Sequence, residues 1–573
     1  MKNKEISGIL FKISELLNIS NENKFKIRAY ERAAQEIESL ASPIEDIIKS
    51  GTKLPGIGDG LTEKIREYLD TGKIKYLDEL ESQLPEGLLQ IIQVPGVGPK
   101  KAKLLFDKLG ITNVDKLYES AKAGKLRELP GFGEKTEQNI LSGIEFRQKT
   151  KGRILLDEAD GLADAIISRL KKNRAVKQIS AAGSLRRKKE TIGDIDILCA
   201  AEKGNEEKII DEFTRLPEVS KVSAKGTAKS SIITRSGIQA DLRVVDSSQY
   251  GAAMQYFTGS KEHNVLLREY AVRKGYSINE YGIFKSDNKN KAVGGEKEED
   301  IYKVLKLQYI PPELRENRGE LEAAKSNQLP ALVQNKDIKG DMHVHSTYSD
   351  GHNTIEEIAN KAEQLGYEWV IICDHSQSLR VAHGLSETDL RRKIDEIRNI
   401  NKKSKIKVLA GTEVDILSDG SIDYPDSALK ELDFVICGIH TGFKQSEQQI
   451  ADRVKKAFSN RYVHSMSHPS GRLLLARDAY AVDINKLIEY ASANSVALEI
   501  NAHPQRLDLS DIYCKKAKET GVKFTVGSDA HYVNDMEYMK YGIFTAQRGW
   551  LEKNDIINTL LYSELLKFLR SKR

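Results

Sequence analysis

The sequence predicts a multidomain protein with an all-α region, then an α+β region with a mixed sheet, then a barrel of seven β-α units. The first observation is length, because 573 residues are several times the size of an ordinary domain. The second is the hydrophobic period, which is helical over the first 150 residues and becomes strand-like from about residue 176. The third is a series of seven apolar runs between residues 340 and 531, separated by helical patterns.

The composition excludes fibrous, largely disordered and membrane-spanning proteins. Hydrophobic residues make up 39% and charged residues 30% of the chain, which is typical of a soluble globular protein. Apolar runs fall short of the roughly 18 residues that a membrane-spanning helix needs. The N-terminus lacks the apolar core of a signal peptide, so we expect a cytosolic protein. The four cysteines form no CxxC pair, and we expect them in cores.

Basic residues and histidines are unevenly distributed. Residues 101–200 carry 21 Lys and Arg against 14 Asp and Glu, whereas the net charge of the whole chain is only +5. Ten of the eleven histidines lie between His343 and His531. We therefore expect two different chemistries on one polypeptide.

Three Gly-apolar-Gly breaks interrupt the helical N-terminal region. They are Leu-Pro-Gly-Ile-Gly at 54–58, Val-Pro-Gly-Val-Gly at 94–98 and Leu-Pro-Gly-Phe-Gly at 129–133. Glycine permits the tight turn, and N–H groups at the start of the next helix are free to hold a phosphate. One copy is usually only a turn, but three copies favour DNA binding without sequence readout. The copies resemble the helix-hairpin-helix motif, which implies DNA contacts at Gly56, Gly58, Gly96, Gly98, Gly131 and Gly133.

Two aspartates alternate on a predicted strand of the mixed sheet. Asp194 and Asp196 would point to one face of this strand while the intervening isoleucines enter the core. A third acid, Asp241, lies in another strand-like run, and Gly183-Ser184 precedes the pair by ten residues. An isolated Asp-x-Asp pair is usually solvated, but this combination suits two divalent cations that serve phosphoryl transfer. Three buried carboxylates without cations would be costly.

These residues resemble the family X DNA polymerases, with DNA polymerase beta the nearest pattern, over residues 1 to about 315. Gly183 through Asp196 is similar to the nucleotidyltransferase palm signature, and Tyr-Phe-Thr-Gly-Ser at 256–260 is similar to the nucleotide-pocket motif. The resemblance implies that Asp194 and Asp196 bind two Mg²⁺ or Mn²⁺ ions while Asp241 assists the primer 3′-hydroxyl.

The same resemblance implies a pocket for an incoming dNTP. Ser184 and Arg187 would contact the triphosphate, and Tyr256 would exclude a ribose 2′-hydroxyl. Asn264 and Arg268 would face the nascent base pair and the template from a closing helix. The basic run 186–189 is then expected to contact phosphate rather than to form a solvated face. The other pocket positions are Gly183, Gly193, Phe257 and Gly259.

Family X resemblance also implies an N-terminal lyase module that removes a 5′-deoxyribose phosphate through a lysine Schiff base. Lys64 matches that lysine, and Lys26 and Tyr30 match supporting DNA-binding positions. Gly60 stands where the family has another lysine, which weakens the grip on phosphate. A Schiff-base lysine also needs surroundings that lower its pKa, so lyase activity and an ordinary solvated lysine both remain open.

Most histidines of the C-terminal region fall at the ends of predicted strands, where α/β barrels carry their chemistry. A single histidine at a strand end is more often a satisfied surface or core residue. Nine nitrogen and oxygen donors on one rim instead suit two or three metal ions, with Glu413 as a bridge. These donors are His343, His345, Asp350, His375, Glu413, His440, His468, Asp529 and His531.

This arrangement resembles the PHP domain, a distorted seven-stranded barrel with a trinuclear metal site, over residues 338 to about 570. The resemblance implies three groups of ligands: His343, His345, Glu413 and Asp529; Glu413, His440 and His468; and Asp350, His375 and His531. Such ions would promote phosphoester hydrolysis, and the mixed ligands leave Mn²⁺, Zn²⁺ and iron open. His503 and Arg472 are expected close enough to the rim to contact substrate.

Together the resemblances imply six segments. They are a lyase-like helical domain (1–83), a helical DNA-binding subdomain (84–149), the palm (150–247), a thumb that binds the nascent base pair (248–314), a linker (315–337) and the PHP barrel (338–573).

This order of domains resembles bacterial and archaeal family X polymerases. It implies a repair enzyme that fills short gaps, with a 3′→5′ exonuclease in the barrel. Cleavage at abasic sites is a further activity that the resemblance leaves open for the barrel. We expect gapped or primer-template DNA and dNTPs as partners, Mg²⁺ or Mn²⁺ at the palm, up to three Mn²⁺ or Zn²⁺ ions in the barrel, no membrane, and a monomer at the nucleoid. One alternative is a small-molecule phosphatase such as histidinol phosphatase, tethered to DNA. Another is a non-catalytic DNA-end scaffold, which has no need for such concentrated charges.

Overall fold

A computed structural model describes residues 2–20, 22–39, 44–49, 57–85, 87–92, 94, 96–150 and 152–572. The chain divides into two compact units, Met1–Lys151 and Gly152–Arg573. Among the described residues, no helix combines the length and the apolar character required to cross a bilayer.

The first unit is helical throughout its described residues, as the sequence predicts. Its helices are α1 (Lys2–Ile19), α2 (Lys24–Ser39), α3 (Ile44–Lys49), α4 (Asp59–Thr71), α5 (Lys75–Gln83), α6 (Gly87–Ile92), α7 (Pro99–Leu109), α8 (Val114–Lys122) and α9 (Glu134–Thr150). Two apolar cores hold them together. Ile6, Leu10 and Ile65 lie in the core of the first five helices, and Leu105 and Phe132 lie in the core of the later ones.

The second unit begins with the predicted mixed sheet. Its elements are β1 (Ile154–Leu155), α10 (Leu156–Leu170), β2 (Val176–Ala181), α11 (Gly183–Arg186), β3 (Thr191–Ile192), β4 (Asp194–Ala201), α12 (Glu206–Phe213), β5 (Val219–Lys225), β6 (Lys229–Thr234) and β7 (Gln239–Asp246). The five-stranded sheet has the order β2-β4-β7-β6-β5. Strands β4 and β7 are parallel, whereas the other pairs in this sheet are antiparallel.

A smaller α+β subdomain follows. It contains α13 (Tyr250–Thr258), α14 (Lys261–Arg273), β8 (Tyr276–Asn279), β9 (Gly282–Lys285), β10 (Asn288–Gly294) and α15 (Glu298–Val304). The three strands form an antiparallel sheet in the order β10-β9-β8.

The segment 315–337 connects this subdomain to the barrel. The polar composition predicts a linker here, but the segment packs against the rest of the protein. It includes α16 (Glu320–Lys325). Arg315 and Glu320 have no exposed surface, because Arg315 pairs with Glu298 at 2.5 Å and Glu320 with His263 at 2.8 Å. Paired charges of this kind can be buried, so polarity alone did not reveal the packing.

The C-terminal part forms the predicted barrel of seven parallel strands. Its elements are β11 (Gly340–Val344), α17 (Ile355–Gln364), β12 (Trp369–Ile372), α18 (Glu387–Ile400), β13 (Lys407–Asp415), α19 (Asp426–Leu429), β14 (Phe434–Gly438), α20 (Glu447–Phe458), β15 (Ser465–Met466), α21 (Ile484–Ala493), β16 (Ala497–Asn501), α22 (Asp511–Glu519), β17 (Phe524–Gly527), α23 (Met539–Arg548) and α24 (Tyr562–Ser571). The strands run in sequence order. A bridge from Val344 to Ala530 nearly closes the barrel between the last strand and the first.

Two candidate metal centres

Three carboxylates share one face of the five-stranded sheet. In the parallel pair β4 and β7, Asp196 lies opposite Asp241, and Asp194 lies opposite Gln239. The Gln239 amide Nε2 donates to both Asp241 oxygens, at 3.1 and 3.2 Å. The structure therefore brings together the three acids that the sequence singled out, although they lie on two strands separated by about 45 residues.

Asp196 is electrostatically strained as an anion. Burial and the adjacent Asp194 and Asp241 raise the pKa of Asp196 to about 7. A divalent cation would relieve this repulsion, so the donor set fits the predicted ions. Gly183 makes room for the carboxylate, since a Cβ at this position would lie 2.1 Å from Asp196 Oδ2, and its φ of +57° is also unfavourable for other residues.

The predicted triphosphate residue Arg187 lies at the end of α11, beside the turn between α13 and α14. Its Nη1 donates to the Thr258 carbonyl at 2.5 Å, and its Nε donates to Glu316 Oε1 at 3.0 Å. A Cβ on Gly259 would lie 3.1 Å from Arg187 Nη1, so glycine permits this close approach. A cavity of about 130 Å³ lies beside the carboxylates and is lined in part by Asp196, Asp241 and Phe257.

The nine predicted donors of the barrel meet at one end of it, around the buried Glu413. Oε1 of Glu413 lies 2.9 Å from His468 Nε2 and 3.2 Å from His440 Nε2. Oε2 lies 3.1 Å from His375 Nδ1 and 3.4 Å from His343 Nε2. Glu413 thus faces four imidazoles from four strands, which is the position of a bridging ligand.

The other donors surround His345. His345 Nε2 lies 3.0 Å from His343 Nε2 and 3.2 Å from Asp529 Oδ1. Asp350 Oδ2 lies 3.6 Å from His375 Nε2 and 3.4 Å from His531 Nε2. Three overlapping groups can each surround an ion: His345, Asp350, His375 and His531; His343, His345 and Asp529; and His375, Glu413 and His440. These groups differ from the predicted ones. His345 and His375 each belong to two groups, Glu413 belongs to one instead of two, and His468 belongs to none.

Missing hydrogen bonds are a second indication that the barrel donors bind metal ions. Four buried donor atoms make no hydrogen bond within the described chain: His345 Nδ1, His375 Nδ1, Glu413 Oε1 and His440 Nε2. Burial alone would raise the pKa of Glu413, but the imidazoles of His440 and His343 hold it well below its usual range. Buried polar atoms without a hydrogen bond destabilise a protein unless a ligand binds them. Imidazole and carboxylate groups together are a typical ligand set for transition-metal ions.

Comparison with known proteins places these centres in a family. Five family models match the chain: Helix-hairpin-helix domain (1–74), SAM-like Helix-hairpin-helix tandem (88–145), DNA polymerase beta palm (153–256), DNA polymerase beta thumb (253–316) and PHP domain (341–503). The DNA polymerase/3′-5′ exonuclease PolX of Bacillus subtilis is 35% identical over 576 residues and is matched over 100% of both chains. The chain belongs to the bacterial family X DNA polymerases with a PHP domain.

Two further similar proteins match part of this chain. A "Probable phosphatase" of a Thermoanaerobacter species is 28% identical over 245 residues, which are 41% of this chain and 95% of that protein. A polymerase beta of Leishmania infantum, solved as a ternary P/T complex, is 25% identical with a TM-score of 0.27 and covers 40% of this chain and 100% of its own.

Several of the residues predicted to form a nucleotide pocket are bonded to or packed against other parts of the protein. The Asn264 amide accepts from Gln255 and donates to the Tyr256 carbonyl, both at 2.7 Å, so it connects α13 to α14. The rings of Tyr256 and Phe257 meet edge to face at 5.1 Å. Arg268 is exposed on α14, and Ser184 and Gly193 are half-buried beside the carboxylates.

The basic run 186–189 is not a uniform phosphate-binding surface. Arg186 pairs with Glu298 at 2.6 Å. Lys188 lies 4.4 Å from the centre of the Phe544 ring and 3.6 Å from Asp160. Arg186 also donates to Thr258 Oγ1 at 2.6 Å, so Arg186 and Arg187 both hold the turn between α13 and α14.

The predicted lyase residues gather around an aromatic residue that sequence analysis missed. Lys64 Nζ and Lys26 Nζ lie 5.2 and 5.0 Å from the centre of the Tyr76 ring, and the Tyr30 ring stacks at 6.3 Å. A hydrogen bond with Tyr76 raises the pKa of Lys26. Tyr76 had no motif to mark it, since an aromatic residue in a helix is usually core. Gly60 is exposed, and a Cβ there would meet no atom within 4 Å.

The described hairpins have the expected backbone. Gly96 and Gly131 have φ values of +86° and +82°, while Gly98 and Gly133 directly precede α7 and α9. Gly58 likewise precedes α4, and Gly56 lies outside the described residues. The apolar residue between each glycine pair is buried: Ile57, Val97 and Phe132.

Two buried carboxylates behind the barrel donors were also missed. Glu499 Oε1 lies 2.6 Å from His343 Nδ1, and Asp415 Oδ1 lies 2.5 Å from His440 Nδ1. Each orients an imidazole so that its Nε2 faces the cluster. A signal existed for both, since Asp415 alternates with Glu413 on β13 and Glu499 lies on β16, the strand for which no ligand was predicted.

The two residues expected near the barrel rim, Arg472 and His503, contact different parts of the protein. Arg472 forms a bidentate pair with Glu190 of the palm, at 2.7 and 3.2 Å, and so binds the palm instead of facing substrate. His503 meets the Tyr538 ring edge to face at 5.3 Å. Arg506, which was not predicted, lies nearer the donors, with its Nε 3.4 Å from Asp529 Oδ2.

Proposed function

We propose that this chain fills short gaps in DNA at the palm and removes nucleotides from 3′ ends at the barrel. The observation that carries the proposal is the presence of both donor clusters in a chain that matches a DNA polymerase/3′-5′ exonuclease along its whole length. Gapped or primer-template DNA and dNTPs are the substrates that follow, and repair at the nucleoid by a monomer is the corresponding role.

At the palm, the primer 3′-oxygen would attack the α-phosphorus of a dNTP, and pyrophosphate would leave. Asp194 and Asp196 would hold two ions, Mg²⁺ or Mn²⁺, which when bound supply charge neutralisation for the triphosphate and acidify the 3′-hydroxyl. Asp241, held by Gln239, would orient that hydroxyl and accept its proton. Arg187 and Ser184 would bind the triphosphate, and Tyr256 would exclude a 2′-hydroxyl.

Primer extension on a duplex with a one-nucleotide gap tests the palm assignment. Wild type is expected to extend the primer with Mg²⁺ and dNTPs, and Asp196→Asn to lose extension by at least a hundredfold. The variant Asp246→Asn, at the exposed end of the neighbouring strand β7, serves as the control and should extend normally. Normal extension by Asp196→Asn would contradict the assignment.

At the barrel, a water oxygen would attack the phosphorus of the terminal phosphodiester, and the bond from that phosphorus to the 3′-oxygen of the penultimate nucleotide would break. The 3′-oxygen would take up a proton that the water gives up, and the terminal nucleotide would leave as its 5′-monophosphate. The nine donors would hold up to three ions, Mn²⁺ or Zn²⁺, which when bound supply an acidified water and stabilise charge on phosphorus. Glu499 and Asp415 would keep the His343 and His440 rings in place.

A comparison of substrates separates an exonuclease from a small-molecule phosphatase. Wild-type protein with Mn²⁺ is expected to shorten a 3′-recessed oligonucleotide much faster than it hydrolyses histidinol phosphate. The reverse preference would favour the phosphatase reading, in which the palm and helical unit serve only as a DNA tether.

We also propose that Lys64 forms a Schiff base with a 5′-deoxyribose phosphate. Its contact with Tyr76 and the nearby Lys26 support this role. Borohydride is expected to trap wild-type protein on a nicked abasic substrate and to trap Lys64→Ala far less. Gly60→Lys should increase trapping, since the site is open and a lysine there would add a phosphate contact. Equal trapping by Lys64→Ala would remove the assignment.

A further inference from the structure

One arginine of the barrel reaches the nucleotide pocket of the palm. Arg548, at the end of α23, is 4% exposed. Its Nη1 donates to the main-chain carbonyl of Arg187 at 2.6 Å and to Glu316 Oε1 at 3.0 Å. Its Nη2 lies 2.7 Å from Asp511 Oδ2 of the barrel. The barrel therefore anchors this guanidinium against the residue proposed to bind the triphosphate.

Arg187 shares its carboxylate partner with Arg548. Glu316 Oε1 accepts from Arg187 Nε and from Arg548 Nη1, both at 3.0 Å. The remaining fixed contact of Arg187 is the bond from Nη1 to the Thr258 carbonyl. A guanidinium has five N–H donors in a rigid fork, so these contacts set its orientation and leave donors for a phosphate.

Removal of Arg548 would weaken triphosphate binding in two ways. Glu316 also pairs with Arg548 and Lys189. Without Arg548 it would attract Arg187 more strongly and would compete with the triphosphate for it. The Arg187 carbonyl would also lose a charge-assisted hydrogen bond, which loosens the main chain at the end of α11. Both effects act on the pocket through Arg187 and Glu316, which Arg548 contacts directly.

We propose that Arg548 is a positioning residue for the nucleotide pocket, through which the barrel sets the affinity of the palm for dNTP. The inference rests on the proposed function in one respect, the contact between Arg187 and the triphosphate. It goes beyond that function because it assigns a barrel residue to the polymerase reaction.

Steady-state gap filling by the full-length chain tests this inference. For Arg548→Met, the KM for dNTP is expected to rise about five- to tenfold, the usual size of coupling between linked sites, with kcat nearly unchanged. Hydrolysis of a 3′-recessed oligonucleotide should stay near wild type when it is assayed well below the Tm. The Tm itself is expected to fall, because the variant leaves the buried Glu316 and Asp511 with one cation fewer. Arg548→Lys keeps the positive charge but replaces the planar guanidinium with a single ammonium group, and it should give a smaller rise in KM.

Lys540→Met is the matched control. Lys540 lies on the same helix and forms an ion pair across the same interface, with Asp160 at 3.3 Å, but touches neither Arg187 nor Glu316. Its KM should equal that of wild type. If Lys540→Met raised KM as much as Arg548→Met, general loosening of the interface would explain the result and the inference would be wrong.

Arg187→Met separates this inference from the proposed function. If Arg187→Met left KM unchanged, the triphosphate contact itself would be wrong. If Arg187→Met raised KM but Arg548→Met did not, only the present inference would fail. In the Arg187→Met background, Arg548→Met should add nothing further, and additive effects would contradict the coupling. Should Arg548→Met fail to fold, Arg548→Lys is judged by the same criteria.

Discussion

Each centre contains a half-buried or fully buried acid that, within the described chain, lacks some of the partners its oxygens could bind. Asp196 is repelled by Asp194 and Asp241, and Glu413 lies buried among imidazoles with one oxygen unbonded. Alternation along β4 drew attention to Asp194 and Asp196, and position at a strand end drew attention to Glu413 and the histidines. Gln239, Glu499 and Asp415 were missed, because a polar side chain that acts on another one has no motif of its own.

Gly183→Ala should disable the palm by displacing Asp196. The new methyl would collide with Asp196 Oδ2 at 2.1 Å, and we expect gap filling to fall by at least a hundredfold while hydrolysis at the barrel is retained. Gly237→Ala is the control, since Gly237 has a φ of +83° in the same subdomain but no atom within 4 Å of its Cβ. Equal losses in the two variants would show that backbone strain, and not the collision, is responsible.

Glu499→Gln should weaken metal binding at the barrel. The substitution removes the negative partner of His343 Nδ1, and such partners are typically worth about 10- to 100-fold in metal affinity. Titration of the metal-free protein with Mn²⁺ measures the affinity directly, with Glu368→Gln on the surface as the control. Exonuclease activity should return at high Mn²⁺ concentration. An unchanged affinity would show that Glu499 does not support the ligand.

At the scale of elements, strand order and helix starts decide which side chains meet. Apolar runs and turn signals predicted all seven barrel strands and the helical character of the first unit. They did not predict that β4 and β7 are neighbours, since that pairing depends on the order of strands in the sheet and not on local spacing. The glycine hairpins show the opposite case, because Gly96 and Gly131 adopt the left-handed backbone that their sequence favours.

Aspartate at the starts of α7 and α9 should weaken DNA binding without loss of stability. Gly98 and Gly133 have open space for a Cβ, so Gly98→Asp with Gly133→Asp would cap both helices while placing negative charge where a phosphate would bind. We expect the Kd for gapped duplex to rise roughly tenfold and the Tm to be maintained. Serine at both positions caps without charge and should bind nearly as well as wild type. Equal weakening by serine would argue against phosphate contact there.

At the scale of the whole molecule, the palm, the smaller subdomain and the barrel form one compact unit. The sequence predicted their order and their separate chemistries, but it did not predict the ion pairs that join palm to barrel, such as Arg472 with Glu190. Long-range pairs of common surface residues carry no periodic pattern. The packed segment 315–337 was missed for the same reason, because its buried charges resemble a solvated linker until their partners are known.

Crosswise inactivation of the two centres tests the central claim most directly. On one gapped duplex, with and without dNTPs, Asp194→Ala with Asp196→Ala should abolish primer extension and keep 3′ shortening. His343→Ala with His345→Ala should abolish shortening and keep extension. If either double variant, still folded, lost both activities, or if neither lost its own, two separate metal centres acting on phosphodiesters would be the wrong account of this protein.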